Sequence, residues 1–168
     1  MKNQKSKIKH HELARGFTII ECLIGLAISA ILLTAVAVAF NASVVNYREN
    51  EEMYWTMNNA RQALTRMTSQ LRTGRMVLPT APSNQCSFFT AADEDVTYDW
   101  RSTDKKLYVK MNATHQEYKL CENVIAASFT KIPTDDGTDC KGVQISLTVQ
   151  NGHSQRTLAA AAVVRRNL

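Results

Sequence analysis

The stretch that decides the fold reads RGFTIIECLIGLAI from Arg15 to Ile28. A basic leader ends in it at Gly16, and the apolar run that follows contains one early carboxylate, Glu21. No residue from Cys22 to Tyr47 is charged, and a helix of that length spans about 39 Å, enough to cross a hydrocarbon core of about 30 Å. The sequence therefore predicts a membrane-spanning helix, and an ionisable group beside such a helix favours a functional role for Glu21.

Most of the positive charge of the chain lies in the leader. The formal net charge is +5, and residues 1–16 contribute +4 of it because five basic residues stand against Glu12. Residues 17–168 retain a net charge of +1. The sequence pI of about 9.1 therefore does not indicate nucleic-acid binding by this part of the chain. Basic residues directly before an apolar helix predict that the leader stays in the cytoplasm and that the remainder lies beyond the inner membrane, in the periplasm. The basic residues of the leader are Lys2, Lys5, Lys7, Lys9 and Arg15.

Four features coincide at this N terminus: the basic leader, the Gly16-Phe17-Thr18 junction, the acid at Glu21 and the long apolar helix. Together they resemble the processing and assembly signal of type IV pilins and of the pseudopilins of type II secretion. The resemblance implies cleavage between Gly16 and Phe17 by a prepilin peptidase, N-methylation of Phe17 by an N-methyltransferase, and a role for Glu21 in assembly with other major and minor subunits. A secretory signal removed after the alanine-rich residues 35–42 is the alternative, but the Gly16–Phe17 junction is the better cleavage site.

The apolar helix departs from the pattern of many major pilins, which carry a helix-breaking glycine and proline in this region. Residues 29–38 read SAILLTAVAV and contain neither, so the helix is expected to bend less. The departure favours a minor subunit, similar to the J-type pseudopilin or the W-type minor pilin. Such a subunit would prime or cap a type IV pilus or a type II secretion pseudopilus. The alternative is a tip subunit whose head binds a surface, DNA or a secreted protein.

The helix is predicted to continue beyond the membrane as an amphipathic segment. Apolar side chains recur there at alternating spacings of four and three, which places them on one stripe of a helix. Gly74 is predicted to end the helix. We expect the stripe to pack on a sheet of the same chain; a methionine-rich binding groove is the alternative. The stripe consists of Met53, Met57, Ala60, Leu64, Met67 and Leu71.

The second half of the chain alternates apolar and polar residues in short runs separated by turns. Asn151-Gly152 is a strong hairpin signal between the last two runs. This pattern predicts an antiparallel sheet that covers the helical stripe, an α+β fold of pilin type. The predicted strands are Val96–Trp100, Leu107–Met111, Glu117–Leu120, Val124–Ile132, Val143–Gln150 and Ser154–Val164.

At 168 residues the chain suits one domain plus an anchor. We predict a cleaved leader at residues 1–16, a transmembrane and assembly helix at 17–47, and a periplasmic head at 48–168 that includes the amphipathic half of the helix. The protein would cross the inner membrane once and later occupy the tip of a pilus or pseudopilus.

The predicted head contains three cysteines, which would lie in a compartment that permits disulfides. We favour a Cys121–Cys140 bridge, because it closes a polar loop between two predicted strands. Pairing of Cys86 with either of them, or three free thiols, are the alternatives. Cys22 lies in the membrane helix and is not expected to pair with the others.

The sequence contains few candidates for other chemistry. The acidic run Asp135 to Asp139 could bind calcium but lacks the ligand spacing of an EF-hand loop, so we predict a polar turn. His115 and His153 are predicted to be surface residues at turns. There is no G-x-S-x-G motif and no glycine-rich phosphate loop. We therefore predict a structural subunit without a cofactor or a metal site, rather than an enzyme.

Overall fold

The computed structural model describes residues 16–164, so the predicted leader lies outside the described residues except for Gly16. Within the described part a single α-helix, α1, occupies Ile19–Thr73. The chain divides into two compact units, the first ending at Val45 and the second beginning at Asn46.

The first unit contains the apolar part of α1. By length and composition the helix includes a segment apolar enough to cross a membrane, and none of that segment is buried within the protein. Its hydroxyl side chains bond to the helix backbone: Ser29, Thr34 and Ser43 each donate to the carbonyl oxygen four residues earlier, at 2.7, 2.8 and 2.9 Å. These hydroxyl groups are therefore satisfied without water, as an apolar surrounding requires.

The second unit contains the end of α1 and two antiparallel sheets. Sheet A has five strands in the order β1-β2-β3-β4-β5, and sheet B has three in the order β6-β7-β8. Consecutive strands are neighbours in both sheets, so each sheet is a meander. The strands are β1 Met76–Val77, β2 Gln85–Phe89, β3 Asp95–Arg101, β4 Lys106–Met111, β5 Gln116–Cys121, β6 Val124–Pro133, β7 Cys140–Asn151 and β8 Ser154–Val163.

The amphipathic stripe of α1 packs against both sheets in one hydrophobic core. Ala60, Met67 and Leu71 are fully buried there. Two buried residues beside the stripe were not predicted. Ala63 is small enough to lie against the sheets, and Thr56 satisfies its hydroxyl by donating to the Glu52 carbonyl oxygen at 3.0 Å. The α+β fold and the packing of the stripe on strands of the same chain are confirmed.

The predicted single sheet is corrected to two sheets. β5 and β6 are joined by only two residues, yet they do not pair. Asn123 has a positive φ of 60°, and its carbonyl oxygen accepts from Gln150 N at 2.9 Å. Val124 N donates to Lys105 O at 2.9 Å. The backbone of this link therefore bonds to other segments instead of closing a hairpin.

Two strands precede the first predicted one. β1 and β2 pair through Val77 opposite Phe88, in a region for which no strand was predicted. α1 ends at Thr73 as predicted. A Cβ on Gly74 would lie 3.2 Å from Phe89 O and 3.3 Å from Gln70 O, so the glycine permits a close approach between the helix end and β2.

Candidate processing and assembly site

The start of α1 is closed by a reciprocal pair of hydrogen bonds between Thr18 and Glu21. Glu21 N donates to Thr18 Oγ1 at 3.3 Å, and Thr18 N donates to Glu21 Oε2 at 3.4 Å. This is a capping box, in which the side chains at the N-cap and at the third helical residue each accept from a backbone N–H that lacks a helical partner. The Thr-x-x-Glu spacing was present in the sequence but was not used to predict a role for Thr18.

The same capping box fixes the position of the carboxylate that the sequence marked as functional. Glu21 lies in the first turn of α1, where an acidic side chain is favoured by the positive end of the helix dipole. Its oxygen is within reach of the Thr18 backbone, one residue from Phe17, whose amine would become the N terminus after cleavage at the predicted site.

Both residues of the predicted cleavage junction are accessible. Phe17 is 80% exposed and Gly16 is also exposed. A Cβ added to Gly16 would meet nothing within 4 Å. Packing among the described residues therefore gives no reason for a glycine at position 16.

The structure pairs none of the cysteines, neither the predicted Cys121–Cys140 pair nor Cys86 with either of them. All four cysteines are free thiols in the structure. Cys121 ends β5 in sheet A, where it lies opposite Leu107, whereas Cys140 begins β7 in sheet B. The two cysteines of the predicted bridge therefore belong to different sheets.

In the acidic loop between β6 and β7, Asp135 and Asp136 bind to different partners within the protein. Asp135 pairs with Lys141 at 2.7 Å. Asp136 accepts hydrogen bonds from Thr134 and Thr138, which lower the pKa of its carboxyl to about 2. Among residues 16–164 no group of three or more potential metal ligands is brought together. The loop thus has the geometry of a polar turn.

The two histidines of the head are exposed and lie in turns, as predicted. His115 has a positive φ of 56° in the turn between β4 and β5. His153 lies in the hairpin turn between β7 and β8.

A buried carboxylate on the central strand of sheet A was not predicted. The Asp99 side chain is 5% exposed and accepts from Lys110 Nζ at 3.0 Å and from Arg101 Nε at 3.1 Å. Gln85 donates to it at 2.9 Å. Burial raises the pKa of Asp99, but these hydrogen bonds outweigh burial and hold the pKa below its usual value of 3.8. In the sequence, alternation places Asp99 on the face of β3 opposite to Tyr98 and Trp100. It does not indicate that a polar network covers that face.

These observations define a class of protein. An exposed apolar helix of membrane-crossing length begins at a Thr–Glu capping box and is followed by a head of antiparallel sheets, an architecture consistent with membrane anchoring. Residues 13–37 match the prokaryotic N-terminal methylation motif, and the match supports a protein of the type IV pilin and pseudopilin family.

The motif implies processing by a prepilin peptidase and assembly with other pilins, and it indicates a structural subunit rather than an enzyme. A comparison with curated proteins gives no match.

Proposed function

We propose that this chain is a minor pilin or pseudopilin that primes or caps a type IV pilus or a type II secretion pseudopilus. In this proposal the chain enters the inner membrane, with its head in the periplasm. A prepilin peptidase cuts it between Gly16 and Phe17, Phe17 is methylated, and the apolar half of α1 then packs against the helices of other subunits.

The observation that carries the proposal is the exposed apolar surface of α1. Between Ile19 and Phe40 the large apolar side chains are more than half exposed, with Ile19 at 83% and both Leu33 and Phe40 at 70%. A helix that is apolar on all sides requires a bilayer or other helices to cover it. Lipid would cover it before assembly, and neighbouring subunits would cover it in a filament.

Glu21 is the residue proposed to pair with a neighbouring subunit during assembly. A carboxylate is unfavourable in the bilayer unless it is paired or neutralised. The amine of Phe17 on a neighbouring subunit is a partner of opposite charge, and pairing would offset the loss of hydration. The capping bonds to Thr18 use one oxygen, Oε2, and a carboxylate can accept several hydrogen bonds at its two oxygens.

The absence of glycine and proline from residues 26–73 supports a minor subunit over a major one. A priming subunit is expected to bind sibling subunits through its head. The second candidate function is that of a tip subunit. Its head would bind a ligand outside the assembly: an external surface, DNA or a secreted protein.

The processing and the role can be tested on the same full-length chain. Trypsin would release residues 17–48 as the new N-terminal peptide, because no lysine or arginine lies between Phe17 and Tyr47. Mass spectrometry should show this peptide with a methylated amine. Co-purification with sibling minor subunits supports priming, whereas binding only to an external ligand supports the tip function.

A further inference from the structure

Cys86 and Cys140 come from different sheets but face the same core. Cys86 lies on the inner side of β2 and is fully buried, together with Phe88 two residues later. Cys140 begins β7 and is 1% exposed. Both belong to one cluster of packed apolar residues.

Asp139 attaches the Cys140 backbone to sheet A. Its Oδ1 accepts from Cys140 N at 2.6 Å and from Val77 N at 2.8 Å. Val77 is opposite Phe88 in the β1–β2 pair. The start of β7 is therefore fixed beside the strand pair that carries Cys86.

Lys131 connects β6 to the loop that leads into β2. Its Nζ donates to the carbonyl oxygens of Ala81 and Pro82, in the loop that leads into β2. Burial raises the pKa of the Cys86 thiol to about 12; the Lys131 ammonium lowers this pKa, and the Cys140 thiol raises it. The pKa of Cys140 is likewise raised by burial and lowered by Lys131. Because such electrostatic effects decline with distance, the effect of Cys140 on the pKa of Cys86 agrees with the position given by the Asp139 hydrogen bonds.

Cys121 belongs to the same cluster of packed residues, but its thiol has other partners. Its thiol donates to Glu122 O at 3.4 Å. Burial raises its pKa to about 11, and Glu122 and Lys119 modify this value.

We propose that Cys86 and Cys140 form a disulfide that joins sheet A to sheet B, and that Cys121 remains a thiol. The bridge in cells rests on the proposed placement of the head in the periplasm, where disulfides persist. It would connect residues far apart in the chain and hold the start of β7 against β2. A hydrogen bond already joins sheet B to the loop before β2, from Phe129 N to Ser83 O at 2.7 Å.

The oxidant is a disulfide of the thiol–disulfide exchange class, either a protein oxidase or oxidised glutathione. One cysteine thiolate attacks this disulfide, forms a mixed disulfide and releases the first donor thiol. The second cysteine, after losing its proton, attacks the mixed disulfide, forms the Cys86–Cys140 bond and releases the second donor thiol. Two protein thiols are oxidised and the donor disulfide is reduced to two thiols, which take up both protons. Because both cysteines are buried in the folded head, the exchange takes place during folding.

The sequence allows the pairing to be read directly. The three cysteines of the head fall on separate tryptic peptides, residues 76–101, 120–131 and 132–141. The full-length chain would be expressed in a bacterial inner membrane, treated with N-ethylmaleimide in denaturant and digested without reductant. We expect peptide 76–101 linked to 132–141, and peptide 120–131 alkylated. A link to peptide 120–131 would overturn the proposal.

A second measurement separates the pairing from the location of the head. The purified full-length chain, reduced in detergent, is refolded in a mixture of oxidised and reduced glutathione, and the same link is expected. If the refolded chain leaves all its thiols free, the pairing is overturned. If it forms the link while the chain from cells is fully reduced, the proposed periplasmic placement is overturned.

A third test compares the melting temperatures of the wild type and of matched cysteine variants with and without reductant. Reductant should lower the melting temperature of the wild type and of Cys121→Ala by roughly 5–10 °C. It should leave Cys86→Ala and Cys140→Ala unchanged, whatever their absolute stability. An equal response of all four proteins to reductant would contradict the bridge.

Discussion

Thr18 and Glu21 hold each other at the first turn of α1, with Glu21 N donating to Thr18 Oγ1 at 3.3 Å and Thr18 N donating to Glu21 Oε2 at 3.4 Å. The residue proposed to direct assembly is thus also a helix-capping residue. Loss of the carboxylate would affect both roles, so the two must be separated by variants that remove only the cap.

Thr18→Ala should loosen the first turn of α1 without removing the carboxylate. The lost side-chain acceptor is worth about 1 kcal/mol of local helix stability. Amide hydrogen exchange in micelles should show about fivefold faster exchange at Glu21 N. Thr18→Ser, which keeps the hydroxyl, serves as the control and should exchange like the wild type. Equal exchange in Thr18→Ala and Thr18→Ser would show that the capping box contributes nothing to the first turn.

Gly16→Val should block leader removal and leave the head folded. No described residue would contact a Cβ at position 16, so we attribute the expected effect to recognition by the peptidase. Gly25→Ala is the matched control, because a Cβ there also meets nothing within 4 Å. Immunoblots should show only the longer form for Gly16→Val and normal processing for Gly25→Ala. Efficient cleavage of Gly16→Val would argue against the assigned junction.

Met67→Ala should destabilise the head strongly. The Met67 side chain is fully buried where α1 packs against the sheets, and removing such a side chain costs about 2–5 kcal/mol. Urea unfolding of the full-length chain in detergent should show a lower midpoint with a similar slope. Gln62→Ala, at an exposed position of the same helix, should change the midpoint little. A small effect at both positions would contradict the packing of the stripe.

Asp99→Asn should reduce the acid sensitivity of the head. The folded-state pKa of Asp99 is lowered, so its contribution to stability is complete above the ordinary pKa of an aspartate. It is lost as the pH falls through the lower, folded-state value. Between about pH 5 and pH 3 the melting temperature of the wild type should fall more than that of the variant.

At neutral pH the same variant should be less stable than the wild type by about 1.5–3 kcal/mol, the usual value of hydrogen bonds to a charged group. Asp93→Asn, which affects an exposed pair with Arg75, is the control and should change neutral stability little. Parallel pH profiles for wild type and Asp99→Asn would exclude a stabilising role for the Asp99 network.

The parts of the fold that depend on local pattern were predictable from the sequence. The end of α1 at Thr73, the stripe from Met53 to Leu71 and the β7–β8 hairpin at Asn151-Gly152 all follow from periodicity or turn chemistry. β1 was not predictable in this way, because its two residues are held by pairing with β2 and by Asp139, 62 residues beyond Val77. The division into two sheets likewise depends on long-range bonds of the Asn123 link.

The candidate sites also divide into those that depend on local sequence and those that depend on long-range contacts. The Gly16–Phe17 junction and the role of Glu21 stay predictions, and the sequence could suggest them because the motif is contiguous in the chain. From the sequence, the Cys86–Cys140 pairing could not be ranked above the other pairings, because it depends on the contact between sheets A and B. The Asp99 network also required three strands to be aligned, since Gln85, Asp99 and Lys110 lie on β2, β3 and β4.

The assembly role of Glu21 is tested most directly by the amount of the chain recovered in purified filaments or tip complexes. Glu21→Ala would be compared with wild type and with Glu51→Ala, an exposed acid in the amphipathic half of α1. We expect Glu21→Ala to be inserted and cleaved but at least tenfold depleted from the assembly, because no carboxylate remains to pair with the neighbouring amine, whereas Glu51→Ala is recovered normally. Normal recovery of Glu21→Ala would contradict the account.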